Sequence, residues 1–150
     1  MIVAVRRTQA ERSAATRSRI IAATVDSLVE LGHAGTTTLE VQRRAEVSRG
    51  ALLHHFPSRA ELLVAAIVEL FNAQRDVVTP AVRRAQQIGG IDAGIDVLWQ
   101  SFNSPLAVAI DELWSASLNY VELLDVIVRY DRTMRGQIRQ LCGALWPEYV

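Results

Sequence analysis

Two adjacent histidines, His54 and His55, stand in the stretch VSRGALLHHFPSRAEL, Val47 to Leu62, beside an arginine-glycine pair and just before a Phe-Pro break. Imidazoles in such company suggest metal ligation, proton transfer or contact with an anion. Spacing argues against the first. Neighbouring positions on a helix point about 100° apart, so these rings cannot converge on one ion as rings at i and i+4 would. No Cys, Asp or Glu stands at helical spacing to complete a ligand set, and His33 is distant in sequence. Nucleophilic catalysis has little to work with. Cys142 falls near the inward face of a helical segment, and neither a Ser-His-Asp order nor a glycine-rich phosphate loop is present. The expectation is therefore no enzyme, no metal and no cofactor. A surface of arginine and histidine, without an acid until Glu61, suits an anionic partner instead.

The charge distribution carries the same implication. The formal net charge is zero, and lysine is absent. Up to Arg59, however, nine arginines (6, 7, 12, 17, 19, 43, 44, 49 and 59) face five acids, and the remainder of the chain is acidic to match. A basic first part joined to an acidic second part predicts an anionic polymer as partner for the first. Half of the 150 residues are apolar, which is enough for a buried core. The run LLVAAIVELF is broken by Glu69, so no membrane span is expected. The opening MIVAVRRTQAER places its apolar stretch before the arginines, the reverse of a secretory signal. A single cysteine forms no internal disulfide and fits a reducing, cytoplasmic compartment.

Helical periodicity runs through nearly the whole chain, which predicts an all-α fold. The first helix is expected over 16–31, burying Ile20, Ile21, Thr24, Val25 and Leu28 and stopping at Gly32. Thr37 with Glu40 forms a capping box for a short second helix ending near Ala45. Ser48 caps a third that ends at Phe56, ahead of Pro57. Ser58 with Glu61 opens a long helix that should stop or kink near Pro80. A short helix closed by Gly89 and Gly90 follows. Ile91, Ile95, Leu98, Trp99 and Phe102 then mark the inward face of another, with Asp92 a possible N-cap. Ser104-Pro105 starts a helix with Leu106, Ile110, Leu113 and Trp114 on one face, and a last helix runs to Pro147.

Two short helices joined by a tight turn, 39–45 and 49–56, form a helix-turn-helix pattern. Val41, Ala45, Val47, Leu52 and Phe56 can pack the pair together, leaving Arg49, Gly50, Ala51, Leu53 and His54 outward. The first turn of such a second helix reaches base edges, while its N–H groups favour phosphates. Residues Thr16 to Leu63 resemble the DNA-binding domain of the TetR family of bacterial transcriptional repressors. The likeness is carried by the Thr16-Arg17 opening, Glu30-Leu31-Gly32, Thr36-Thr37, Ala45-x-Val47-Ser48, Gly50-x-Leu52 and His54-x-Phe56-x-Ser58-x-x-Glu61-Leu62. It covers about a third of the chain. It implies a three-helix domain over 1–57 and a helical effector-binding and dimerisation domain over 58–150. It also implies a homodimer on double-stranded operator DNA and release by a small-molecule effector.

Carried over by position, the resemblance puts Arg49, Gly50 and Ala51 at bases. It puts Arg17, Thr36, Thr37, Ser48, Leu53, His54, His55 and Arg59 at the phosphate backbone or in its support. Arg6, Arg7 and Arg12, like Arg17, would follow the backbone or enter the minor groove. The chain departs from the family pattern at Leu53, where tyrosine is usual, and at Gln42, where a small alanine is usual. Glu46 occupies a turn position that suits glycine and positive φ. Trp99, Phe102, Trp114, Tyr120 and Met134 are the expected wall of a ligand cavity, with Asn103, Asn119, Arg129 and Gln137 as polar contacts; ordinary core packing is the competing reading for each. The family pattern adds two further helices beyond WPEYV, so the expectation is a shortened effector domain. The rival to a DNA-binding regulator is an all-α ligand-binding or protein-interaction module that keeps the helix-turn-helix as scaffold.

Overall fold

The computed structural model describes residues 8–118 and 121–146. Among them are seven helices and no strand, so the all-α expectation holds. The first, α1, spans Gln9–Gly35 and begins well before the expected Thr16. Its start is set by a capping box. The Thr8 hydroxyl accepts from the Glu11 N–H at 3.2 Å, and the Thr8 N–H donates to the Glu11 carboxylate at 2.6 Å. Ile20, Ala23, Thr24, Ser27 and Leu28 are buried, whereas Ile21 and Val25 are half-buried. The helix breaks at Gly32, whose φ of 67° and ψ of −178° suit glycine alone.

Then α2 (Thr38–Ala45) and α3 (Arg49–His55) follow in quick succession. Thr37 caps α2 by accepting from the Glu40 N–H, and Ser48 caps α3 by accepting from the Ala51 N–H, each at 3.2 Å. Between them Glu46 is left-handed, φ 51° and ψ 48°, the one non-glycine with positive φ among the described residues. The turn it makes directs the Val47 N–H back to the Gln42 carbonyl at 3.1 Å.

The long helix α4 spans Arg59–Ile88, capped by Ser58, which accepts from the Glu61 N–H at 3.1 Å. It does not stop at Pro80. That proline sits inside the helix, so the expected short separate helix is the last part of α4. Pro80 and Asp76, one turn earlier, are both exposed, so the carbonyl deprived of its partner lies on the watered side. Gly89 and Gly90, with φ of 75° and 84°, then turn the chain into α5 (Ile91–Phe102). The N-cap of α5 is Gly90 rather than Asp92. Next come α6 (Pro105–Ser117), capped by Ser104, and α7 (Val121–Leu145).

Two apolar clusters form the interior. One joins Ile20 and Ala23 of α1, Val41 and Ala45 of α2, Leu52 and Phe56 around α3, and Leu62 of α4. The other joins Leu28 of α1 and Leu63, Ile67 and Leu70 of α4 to Ala109 and Leu113 of α6 and Leu123 and Ile127 of α7. Thus α1 and α4 belong to both. Between them they hold the short helix pair against the bundle of later helices. Gln74, buried in α4, ties on the connection from α5 to α6: its amide donates to the Ser101 carbonyl at 2.9 Å and accepts from the Ser104 hydroxyl at 3.1 Å.

Candidate nucleic-acid interface

The first turn of α3 stands clear of the protein, with Ser48, Arg49 and Gly50 exposed and Ala51 half-buried. Leu52 and Phe56, inward at 1 % and 2 % exposure, hold the helix down. Gly50 is informative because the fold does not require it. Its φ is ordinary, and an added Cβ would meet only the Ser48 hydroxyl, at 4.0 Å. A helix loses stability by carrying glycine in place of alanine, so the residue's use is to be sought outside the chain.

Around this turn the other expected contacts divide. Thr37 is exposed beside its cap, and His54 is exposed with His55 half-buried, the rings edge to face at 5.2 Å. Leu53 points out at 42 % exposure, an apolar side chain where a hydroxyl would serve a phosphate. Arg17 is exposed, its guanidinium 5.1 Å from the centre of the Phe56 ring, which orients it over the end of α3. Arg12 is exposed one turn before it, while Arg6 and Arg7 lie outside the described residues.

Two expected phosphate contacts are turned to internal work. Thr36 is only 2 % exposed, and its hydroxyl bonds the Ser27 hydroxyl at 3.1 Å and donates to the Gly32 carbonyl at 2.8 Å. It seals the end of α1 rather than offering a donor to solvent. Arg59 is half-buried and donates to the carbonyls of His33 at 2.9 Å and Thr36 at 3.3 Å. Both positions enter the expected set through the family pattern; in the fold Thr36 is buried and Arg59 half-buried against the turn.

Charge is likewise less free than a count of arginines suggests. Arg43 and Arg44 both grip Glu40, with contacts at 2.7 and 2.6 Å, and Arg44 also reaches Glu30 at 2.8 Å. Hydrogen bonds from Arg43 and then Arg44 hold the Glu40 carboxyl down to about 2. His33 has its pKa lowered by burial and by nearby Arg59, against an opposing pull from Glu112. Among the described residues no three His, Cys, Asp or Glu side chains are grouped to hold a metal ion. None of the described helices is long and apolar enough to cross a membrane.

Behind the short helices, a cavity of about 690 Å³ opens among α4, α5, α6 and α7. Phe71, Val78, Val82, Ile110, Trp114 and Ile127 make its apolar wall, and Arg75 and Asp111 bring charge to it. Of the five aromatic and Met residues expected there, Trp114 and Phe102 line it. Trp99 does not: it lies on the outer side of α5 at 69 % exposure. The face assigned to α5 is only partly inward: Leu98 is half-buried and lines the cavity with Phe102. Gly94 and Val97 are buried, while Ile91, Ile95, Trp99 and Phe102 are exposed. Tyr120 and the Met134 side chain lie outside the described residues, as do Asn119 and the side chain of Gln137. Asn103 instead bonds the Trp99 carbonyl at 2.8 Å, and Arg129 pairs with Asp125. Phe71, stacked on Tyr130, and the α4 residues were missed, since nothing in the pattern separates a cavity wall from a core face.

Residues 20–66 match the model of the family described as bacterial regulatory proteins, tetR family. The chain is similar to the HTH-type transcriptional regulator CymR of Pseudomonas putida, 35 % identical over 127 residues, which cover 85 % of this chain and 57 % of that protein. It is also similar to the HTH-type transcriptional regulator Rv2912c of Mycobacterium tuberculosis, 33 % identical over 140 residues covering 91 % of this chain and 65 % of that one. The chain thus spans less than two thirds of the length of these relatives. In fold it is similar to the multidrug binding protein EbrR, crystallised with imidazole. The TM-score is 0.65 at 24 % identity, covering 85 % of this chain and 71 % of that one.

Proposed function

Since the chain belongs to the tetR family of bacterial regulatory proteins, we propose that it is a ligand-responsive transcriptional regulator, a repressor that binds operator DNA through α3 and is released by a small molecule in the cavity. The observation that carries this reading is the bare first turn of α3. Arg49 extends into solvent there, and an exposed glycine with no internal steric purpose leaves the backbone open to close approach. Arginine at such a turn makes bidentate bonds to guanine, and the Ala51 methyl meets a thymine methyl. Thr37, His54, His55 and Arg17 provide the surrounding backbone contacts, and Ser48 holds the turn in place. Residues 1–57 serve as the DNA-binding unit, and 58–150 as the effector and dimerisation unit, in the cytoplasm.

The cavity fits an amphipathic effector: an apolar body against Trp114, Val78 and Val82, with a polar group toward Arg75 or Asp111. A homodimer would set two α3 helices in successive major grooves of a near-palindromic site. Selection of duplexes from a random pool by the full chain, followed by gel shift, tests the proposal. A selected duplex should bind tightly, and Arg49→Ala should cost about 1–3 kcal/mol and relax preference at one base pair of each half-site. Weak binding that is equally lost from every sequence as salt rises would sink the reading and favour an all-α interaction module.

A further inference from the structure

The turn between α1 and α2 is held by side chains from two distant parts of the chain. At Gly32 the helix leaves its regular path, and the His33 N–H finds a carboxylate oxygen of Glu112 at 3.0 Å. A Cβ at Gly32 would lie 2.3 Å from that same oxygen, so the carboxylate occupies space that only glycine leaves. From the other side, Arg59 takes the carbonyls of His33 and Thr36. A donor of this turn is therefore bound by α6, and its acceptors by the start of α4.

Glu112 has a second relevant position. Asp111 and Trp114, on the same helix, line the cavity. At about 100° per residue, Trp114 lies about 60° to one side of Asp111, and Glu112 about 100° to the other. So α6 presents one side to the cavity and the adjoining side, with Glu112, to the end of α1. Leu113 and Ala109 of α6 also share an apolar cluster with Leu28 of α1, and apolar contact is non-directional. A carboxylate on an N–H is directional and fails over a few tenths of an ångström.

We propose that Glu112 is the positioning residue through which occupancy of the cavity reaches the α1–α2 turn and, from it, the recognition helix. This rests on the regulator reading above. A ligand that shifts α6 draws Glu112 from the His33 N–H, and the turn that leads into α2 at Thr38 loses its fixed geometry. Conversely, DNA that holds α2 and α3 favours the latched position of α6, because coupling is reciprocal.

The test uses the full chain, a duplex selected by the wild type, and the dye 1-anilinonaphthalene-8-sulfonate as cavity probe. Dye bound in the cavity is identified by its loss in Ile110→Trp, which fills that space. In the wild type, saturating duplex should change dye affinity by about fivefold or more. In Glu112→Ala each partner should still bind alone, but the change should shrink to under about twofold. Glu112→Gln, which keeps an acceptor for the His33 N–H, should recover most of it. Faster hydrogen exchange of the His33 amide should appear in the alanine variant only. Wild-type coupling in Glu112→Ala overturns the proposal. So does equal loss of duplex binding and thermal stability in both variants, which would mean a purely structural role. Failure of the regulator reading looks different: no coupling in the wild type itself, or no selectable duplex.

Discussion

At the residue scale, Glu46 and Gly50 look like errors of helix chemistry, each carrying the side chain that suits the other. Glu46 holds a left-handed conformation that costs an L-residue roughly 1–2 kcal/mol, offset in part by the greater entropy glycine loses on folding. Glu46→Gly should therefore raise stability by up to about 1 kcal/mol in urea denaturation, and it removes a negative charge beside α3. Tighter duplex binding should accompany it. Gly50→Ala should also stabilise, by a few tenths to about 1 kcal/mol, since an added methyl comes no nearer than 4.0 Å to the Ser48 hydroxyl. Here duplex affinity should fall, because on the proposed reading the methyl stands where the backbone approaches the bases. A Gly50→Ala variant that binds the selected duplex as well as wild type would show that α3 does not come that close. The Glu46 turn was legible from sequence through its place in the family pattern. The burial of Thr36 and Arg59 was not, because it depends on α4 packing beneath them, a tertiary fact.

At the element scale, caps were read well where a polar side chain alone decides, as at Thr37, Ser48, Ser58 and Ser104. The Thr8 and Glu11 box carries the same signature and lengthens α1, although the weak apolar periodicity after it draws attention away. Two features escaped sequence reading for energetic reasons. A proline ends a helix only when the surroundings do not favour continuation, and α4 is held on both sides of Pro80 by Gln74 and Ala85, which are buried. In α5, apolar residues occupy more than one face, so periodicity alone does not single out Gly94 and Val97 as the buried ones. Pro80→Ala tests the continuity of α4. It restores an N–H and removes the ring clash, at the loss of some rigidity in the unfolded chain. The expected gain is between about 1 and 3 kcal/mol, read as a higher urea midpoint. An unchanged midpoint would mean that the two segments behave as separate helices in solution.

At the scale of the whole molecule, the decisive fact is that α1 and α4 pass through both apolar clusters. Ile20 and Leu28 are two turns apart on α1, one in each cluster, and Leu62 and Leu63 divide between them as neighbours on α4. Loss of either cluster frees an element that the other requires, so the short helix pair and the later bundle should unfold together. Leu113, 1 % exposed in α6, lies far along the chain from α2 and α3 and provides the test. Leu113→Ala should cost about 2–5 kcal/mol, as removal of a buried leucine does. In native-state hydrogen exchange, the slowest amides near Val41 in α2, whose cluster does not include Leu113, should lose the same free energy as those near Ile127 in α7, which shares a cluster with it. Tryptophan fluorescence and helical circular dichroism should fall in one transition. Protection at Val41 that survives the substitution would mean that the proposed DNA-binding unit folds independently. A mechanical link such as Glu112 would then have to carry coupling between units that share no common stability.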